Sequence, residues 1–129
     1  MNTLTDTTTT ELLPLFEQWA EMESDRCRVN VYNEPKQFDV LIDLGDGWTT
    51  VWASIFGDIS KTSLALVQAS LQEAIAARDL SAEISISGSR TQALILSIDG
   101  LMVIEQHDQA AIALLQCYIQ ALKAARAAS

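Results

Sequence analysis

The sequence predicts an α+β fold built on an antiparallel sheet, and three observations carry that prediction. Apolar residues alternate with period two in several short runs, among them Cys27, Val29, Val31 and Phe38, Val40, Ile42 and Ala82, Ile84, Ile86. These runs follow one another through turn residues rather than through helices. Helical periodicity is confined to the beginning, the middle and the end of the chain, so helices do not alternate with strands one by one. The predicted order is α-β-β-β-α-β-β-(β)-α, the bracketed strand lying at residues 101–105.

Residues 1–9 are Thr-rich without periodic apolar positions, and are expected to form a disordered tail before a single domain over 10–129. Thr10 offers an N-cap oxygen, Glu11 suits the positive end of a helix dipole, and Pro14 falls in a first turn whose amides lack acceptors. A helix is therefore expected to about Glu23, with Leu12, Leu15, Phe16, Trp19 and Met22 on its apolar face. Strand one begins near Arg26 and ends at the turn residues Asn33-Glu34-Pro35-Lys36. Strand two holds Phe38 to Leu44, and Gly45-Asp46-Gly47 supplies the positive-φ positions of a hairpin. Strand three spans residues 48–56, rich in Thr, Val and aromatic residues, and Gly57-Asp58 ends it.

The central helix, residues 60–79, carries Leu64, Val67, Leu71, Ala74 and Ile75 on one stripe, widened by Leu66 and Ala77 on one shoulder. Its only charged residues are Lys61, Glu73, Arg78 and Asp79. A helix that covers one sheet needs a narrower apolar arc, so a second contact with another copy of the chain is expected at Leu66, Ser70 and Ala77. The alternative is that Ala65, Ala69, Ala76 and Ala77 are good helix formers on an exposed face. Beyond it, residues 82–87 and 93–98 read as strands joined at Gly88-Ser89-Arg90, and Asp99-Gly100 is a hairpin signal. A last helix is capped by Asp108 and runs to about Ala125, with Ile112, Leu115, Ile119 and Leu122 buried, flanked by Leu114 and Tyr118.

Eight Lys and Arg against seventeen Asp and Glu give a formal charge of −9, which repels phosphate backbones and anionic lipid. Nucleic acid and membrane are accordingly not expected as partners. The N-terminus lacks the basic start and apolar core of a signal peptide, and no apolar run is long enough to span a bilayer, so a cytoplasmic protein is expected. Cys27 and Cys117 lie far apart with no Cys-x-x-Cys pattern, and are read as buried thiols. The single histidine, His107, has no neighbouring nucleophile and reads as a surface residue near a cap. Asp39, Asp43 and Asp46 miss the spacing of a calcium loop, and Gly45-Asp46-Gly47 leads into a strand where nucleotide loops open a helix. No enzyme, metal or cofactor is expected.

Trp48 and Trp52 share strand parity, and strands two and three are apolar on both parities: Leu41 opposes Phe38, Val40 and Ile42, while Val51 and Ile55 oppose the two tryptophans. A sheet apolar on both faces wants cover on both, which leaves apolar surface for a partner. Phe16, Trp19, Leu41 and Trp52 are the candidate anchors, rimmed by Asp39, Asp43, Glu21 and Glu23.

The element order, the acidic charge, the Leu-Leu-x-Leu-Phe opening helix at residues 12–16 and the closing Asp-x-x-Ala-Ile-x-Leu-Leu-x-x-Tyr-Ile-x-x-Leu helix at residues 108–122 resemble the class I chaperones of type III secretion, the Tir chaperone (CesT) family. The resemblance spans nearly the whole chain, with two departures: Phe56-Gly57 where the family commonly has Leu-Gly, and Ala76-Ala77-Arg78-Asp79 in place of its small-residue loop. It implies a cytoplasmic homodimer that binds the N-terminal segment of a secreted effector and keeps it export-competent without hydrolysing nucleotide. The alternative reading is a dimeric interaction or regulatory module of the same fold with no secretion role.

Overall fold

The computed structural model describes residues 3–33 and 36–128. Among them the fold is α+β, with three α-helices and two three-stranded antiparallel sheets. The chain divides into two compact units, Met1–Val67 and Gln68–Ser129, where one domain around one sheet is expected from the sequence. Each sheet pairs strands that follow one another in sequence, and strand three pairs only with strand two among the described residues. Short hairpin closure costs little chain entropy, so each meander pairs with itself.

In the first unit, helix α1 (Thr3–Met22) is followed by β1 (Cys27–Asn33), β2 (Lys36–Asp43) and β3 (Trp48–Ala53) in the order β1-β2-β3. The helix begins at Thr3 rather than near residue 10, so Thr10 lies inside it and Pro14 is an interior proline. A Thr oxygen favours a cap without stopping a helix, and Thr lowers helix propensity only slightly. The disordered tail expected over 1–9 falls in part on residues 1 and 2, which lie outside the described residues, as do Glu34 and Pro35 of the first turn. Leu12, Phe16 and Trp19 of α1 are buried together with Cys27, Val40, Ile42 and Trp52. The ring centroids of Phe16 and Trp52 lie 6.1 Å apart, and Phe38 meets Trp52 edge-on at 4.7 Å.

The register of β2 against β3 shifts between Val40 and Leu41: Val40 faces Trp52, Leu41 faces Thr50, and Val51 is the extra residue of a bulge. Trp48 and Trp52, expected on one face, therefore occupy opposite faces. Strand β3 also ends earlier than expected, passing into a 3-10 turn at Ser54–Phe56. There the Ser54 hydroxyl accepts from the Phe38 amide at 3.0 Å and donates to the Phe38 carbonyl at 3.3 Å, standing in for the next ladder pair.

Helix α2 (Lys61–Ala77) is capped by Ser60, whose Oγ accepts the Ser63 amide at 3.0 Å. The division between the units falls within this helix. Val67, Leu71, Ala74 and Ile75 are buried as the periodicity predicts, and Leu64 is half-buried.

The second unit holds β4 (Ser81–Ser87), β5 (Arg90–Leu96), β6 (Met102–His107) and α3 (Ala110–Ala128), its sheet ordered β4-β5-β6. The bracketed strand is thus present. Strand β5 starts at Arg90, which pairs with Ser87, so the turn is the shorter Gly88-Ser89, with Gly88 at φ 62°. Helix α3 packs on β5 and β6 and buries Thr91, Ala93 and Ile95. The Asp108 carboxylate accepts from Arg90 at 3.3 Å, and it is the His107 imidazole Nδ1 that accepts the Gln109 amide, at 3.0 Å.

Candidate protein-binding surfaces

Each sheet has one face under a helix and one face without a helix of its own unit. In the first unit the face away from α1 carries Arg28, Asn30 and Tyr32 of β1, Asp39, Leu41 and Asp43 of β2, and Trp48 of β3. Register places Arg28 opposite Leu41 and Trp48 opposite Asp43, yet the Arg28 guanidinium reaches across β2 to within 4.1 Å of the Trp48 ring centroid. Asp39 accepts from the Asn30 amide at 2.8 Å and from the Tyr32 hydroxyl at 3.1 Å, and the neighbouring carboxylate pushes the Tyr32 phenol pKa up. Asp43 accepts the Gly45 amide at 2.8 Å, an aspartate turn that sets the hairpin.

The four sequence-predicted anchors do not share a surface. Phe16, Trp19 and Trp52 are buried between α1 and its sheet, and only Leu41, half-buried, lies on the opposite face. Glu23, expected on an acidic rim, is also buried: its Oε1 accepts the Trp19 indole N–H at 2.9 Å and stands 4.0 Å from the Arg26 Nε. Large aromatic side chains at helical spacing went to the core because α1 lies over the face that the bulge gives to Trp52.

Of the three residues expected at a dimer contact, Ser70 is 1 % exposed, with its hydroxyl buried and unpaired, so it is closed to a partner. Leu66 is half-buried and Ala77 exposed, and the alanines at 65, 69 and 76 are exposed beside them.

The clearest apolar surface lies in the second unit. On the sheet face away from α3, Leu96 pairs with Met102 and Leu94 with Ile104. Met102 is 59 % exposed, Ile104 48 % and Leu96 38 %, while Gln92 and Gln106 beside them hydrogen-bond each other at 3.2 Å. Strand β4 is an edge, exposed along its length except for half-buried Ile84, and Ile86 is 75 % exposed. Its alternation predicted a buried face, but α3 lies over β5 and β6. The sequence signal for the cluster is the run Ala93-Leu94-Ile95-Leu96, apolar at both parities on a strand with one helix to cover it.

Cys27 and Cys117 are both buried and free, as expected. Cys27 donates to the Phe16 carbonyl at 3.7 Å, and Cys117 shares its proton between the Val103 carbonyl at 3.1 Å and the Ala93 carbonyl at 3.6 Å. Burial pushes the two thiols up to about 12 and about 11, the opposite of what a nucleophile needs. Among the described residues no His, Cys, Asp and Glu side chains group in a way that could hold a metal ion, and no helix is long and apolar enough to cross a membrane. No protein-family model matches the chain, and no curated protein and no solved structure matches it either.

Proposed function

We propose that this chain is a homodimeric chaperone that binds an extended N-terminal segment of a secreted protein and holds it unfolded for export. The observation that carries this reading is the aliphatic face formed by Leu96 of β5 with Met102 and Ile104 of β6, in a sheet whose other outer strand, β4, is an exposed edge, displayed by a chain of net charge −9. Acidic charge keeps such a surface dispersed, while an exposed edge offers backbone hydrogen bonds to an extended peptide. Binding of this kind is sequence-tolerant and has no chemical step. The resemblance of the sequence to the class I secretion chaperones is a second support for the reading.

The test is titration of purified chain with N-terminal segments of proteins secreted by the same cell, followed by hydrogen exchange. The expected outcome is a complex of two protomers and one segment, in which the segment stays without helix or fixed tertiary structure and β4 gains protection. A dimer that binds none of these segments would leave the interaction module without a secretion role, and a segment that folds on binding would remove the chaperone reading.

A further inference from the structure

A second apolar feature of the Gln68–Ser129 unit is a cleft of about 340 Å³ between the end of α2, the turn joining β5 to β6, and the last turns of α3. Leu80, Leu101, Ala121 and Leu122 line it, and the small side chains of Ala124 and Ala125 give it depth. Such a volume and lining suit an aliphatic group. Ile98 stands at its mouth, 89 % exposed, on a turn where an isoleucine gains nothing from water.

The mouth has a sign. Asp79 and Asp99 line it with Arg78, a balance of −1 among the lining residues, and α2 and α3 both bring their C-terminal ends to it, that of α3 with Arg126 in its last turn. Helix C-termini carry partial negative charge and favour cations. Both aspartates are held by preformed turns. At the end of α2 the Leu80 amide donates to the Ile75 carbonyl at 3.1 Å and the Asp79 amide to the Ala76 carbonyl at 3.1 Å, with Asp79 at φ 58°. This Schellman arrangement usually places glycine where Asp79 stands. Ahead of Asp99, the Ser97 amide donates to the Leu101 carbonyl at 2.9 Å and the Leu101 amide to the Ser97 hydroxyl at 3.0 Å. A mouth fixed in advance loses little entropy when it closes on a ligand.

We infer that this cleft is an anchor pocket for a branched aliphatic side chain adjacent to Lys or Arg in an extended partner segment. The inference deepens the chaperone reading and rests on it, since it names the chemistry of the segment. The aliphatic group fills the space between Leu101 and Leu122, Ile98 folds over it, and the neighbouring cation meets Asp79 and Asp99.

The probe is a short fluorescein-labelled Ser/Gly peptide with one central Leu-Lys pair, compared with Leu-Glu and Ser-Lys peptides by anisotropy. The Leu-Lys peptide is expected to bind tightest. Ile98→Ser, at a fully open position, weakens it by about tenfold. Asp79→Asn with Asp99→Asn, which keeps a residue tolerant of positive φ, removes the preference for Lys over Glu, worth about three- to fivefold. Equal binding of Leu-Lys and Leu-Glu, or no effect of Ile98→Ser, overturns the pocket. So does light scattering in which Ile98→Ser turns a dimer into a monomer, because the cleft is then filled by a second copy. Capture of a secreted segment that Ile98→Ser leaves unchanged would defeat the pocket alone. Leu-Lys binding as expected, with no secreted segment captured, would defeat the secretory role while keeping the pocket's chemistry.

Discussion

Cys27 and Cys117 act alike in their two units, each thiol tying one element to backbone carbonyls of another. The burial that holds Cys27 lifts its thiol from 9.0 to about 12, with a consequence for alkaline stability. Above pH 9 the unfolded chain releases this proton while the native chain keeps it, so the native state binds more protons and stability falls as pH rises toward 12. Replacing Cys27 with Ala should shrink the loss of stability between about pH 8 and about pH 10.5 by about 2 kcal/mol, read from urea unfolding at both values. An unchanged loss would mean that Cys27 titrates normally. Asp79 gives a second prediction. It is the only non-glycine with positive φ among the described residues. Asp79→Gly should raise stability by about 1 kcal/mol and the melting temperature by roughly 2–5 °C. A lower melting temperature would show that the carboxylate contributes more than the backbone conformation costs.

At the scale of elements, the bulge at Val51 decides what β3 does. Upstream of it Trp48 lies on the open face under the Arg28 guanidinium; downstream, Trp52 enters the core and its indole N–H donates to the Gly57 carbonyl at 3.0 Å. The two tryptophans should therefore respond very differently to truncation. Trp52→Ala should cost about 3–5 kcal/mol, whereas Trp48→Ala should cost about 1 kcal/mol or less, measured by chemical denaturation. Similar costs at both positions would contradict the register. Helix α3 shows a related effect of cover. Its stripe of Ile112, Leu115, Ile119 and Leu122 is buried as expected, but so are Ala111, Ala113, Cys117 and Ala121, which makes it apolar and enclosed around most of its circumference.

For the molecule as a whole, the testable statement is its assembly. Light scattering at tens of micromolar is expected to give the mass of two chains, and Leu66→Asp to give that of one, because a charge placed in an apolar contact has no partner there. A monomeric parent chain would remove the dimer from the proposed function. A dimer indifferent to Leu66→Asp but split by Ile86→Lys would move the contact from α2 to the edge of β4, where Ile86 is open. Raising salt should tighten any such association, since two chains of charge −9 repel each other.

The type and order of the elements and the set of residues that share the apolar stripe of α2 are local matters, and the sequence by itself determined them. Side-chain periodicity and turn residues act over a few positions, so Val67, Leu71, Ala74 and Ile75 could be placed from spacing alone. Only the tertiary structure decided which faces are covered. A single extra residue at Val51 sent Trp48 and Trp52 to opposite faces, and α1 over one of them made Phe16, Trp19 and Trp52 core instead of anchors. Ser70, on the shoulder of α2 expected to meet a partner, is buried, and Ile86, on the alternating face of β4, stands open because α3 is laid across β5 and β6 and leaves β4 bare. Burial depends on what long-range packing puts on top of a residue, and that is not written in the alternation that formed its strand or helix.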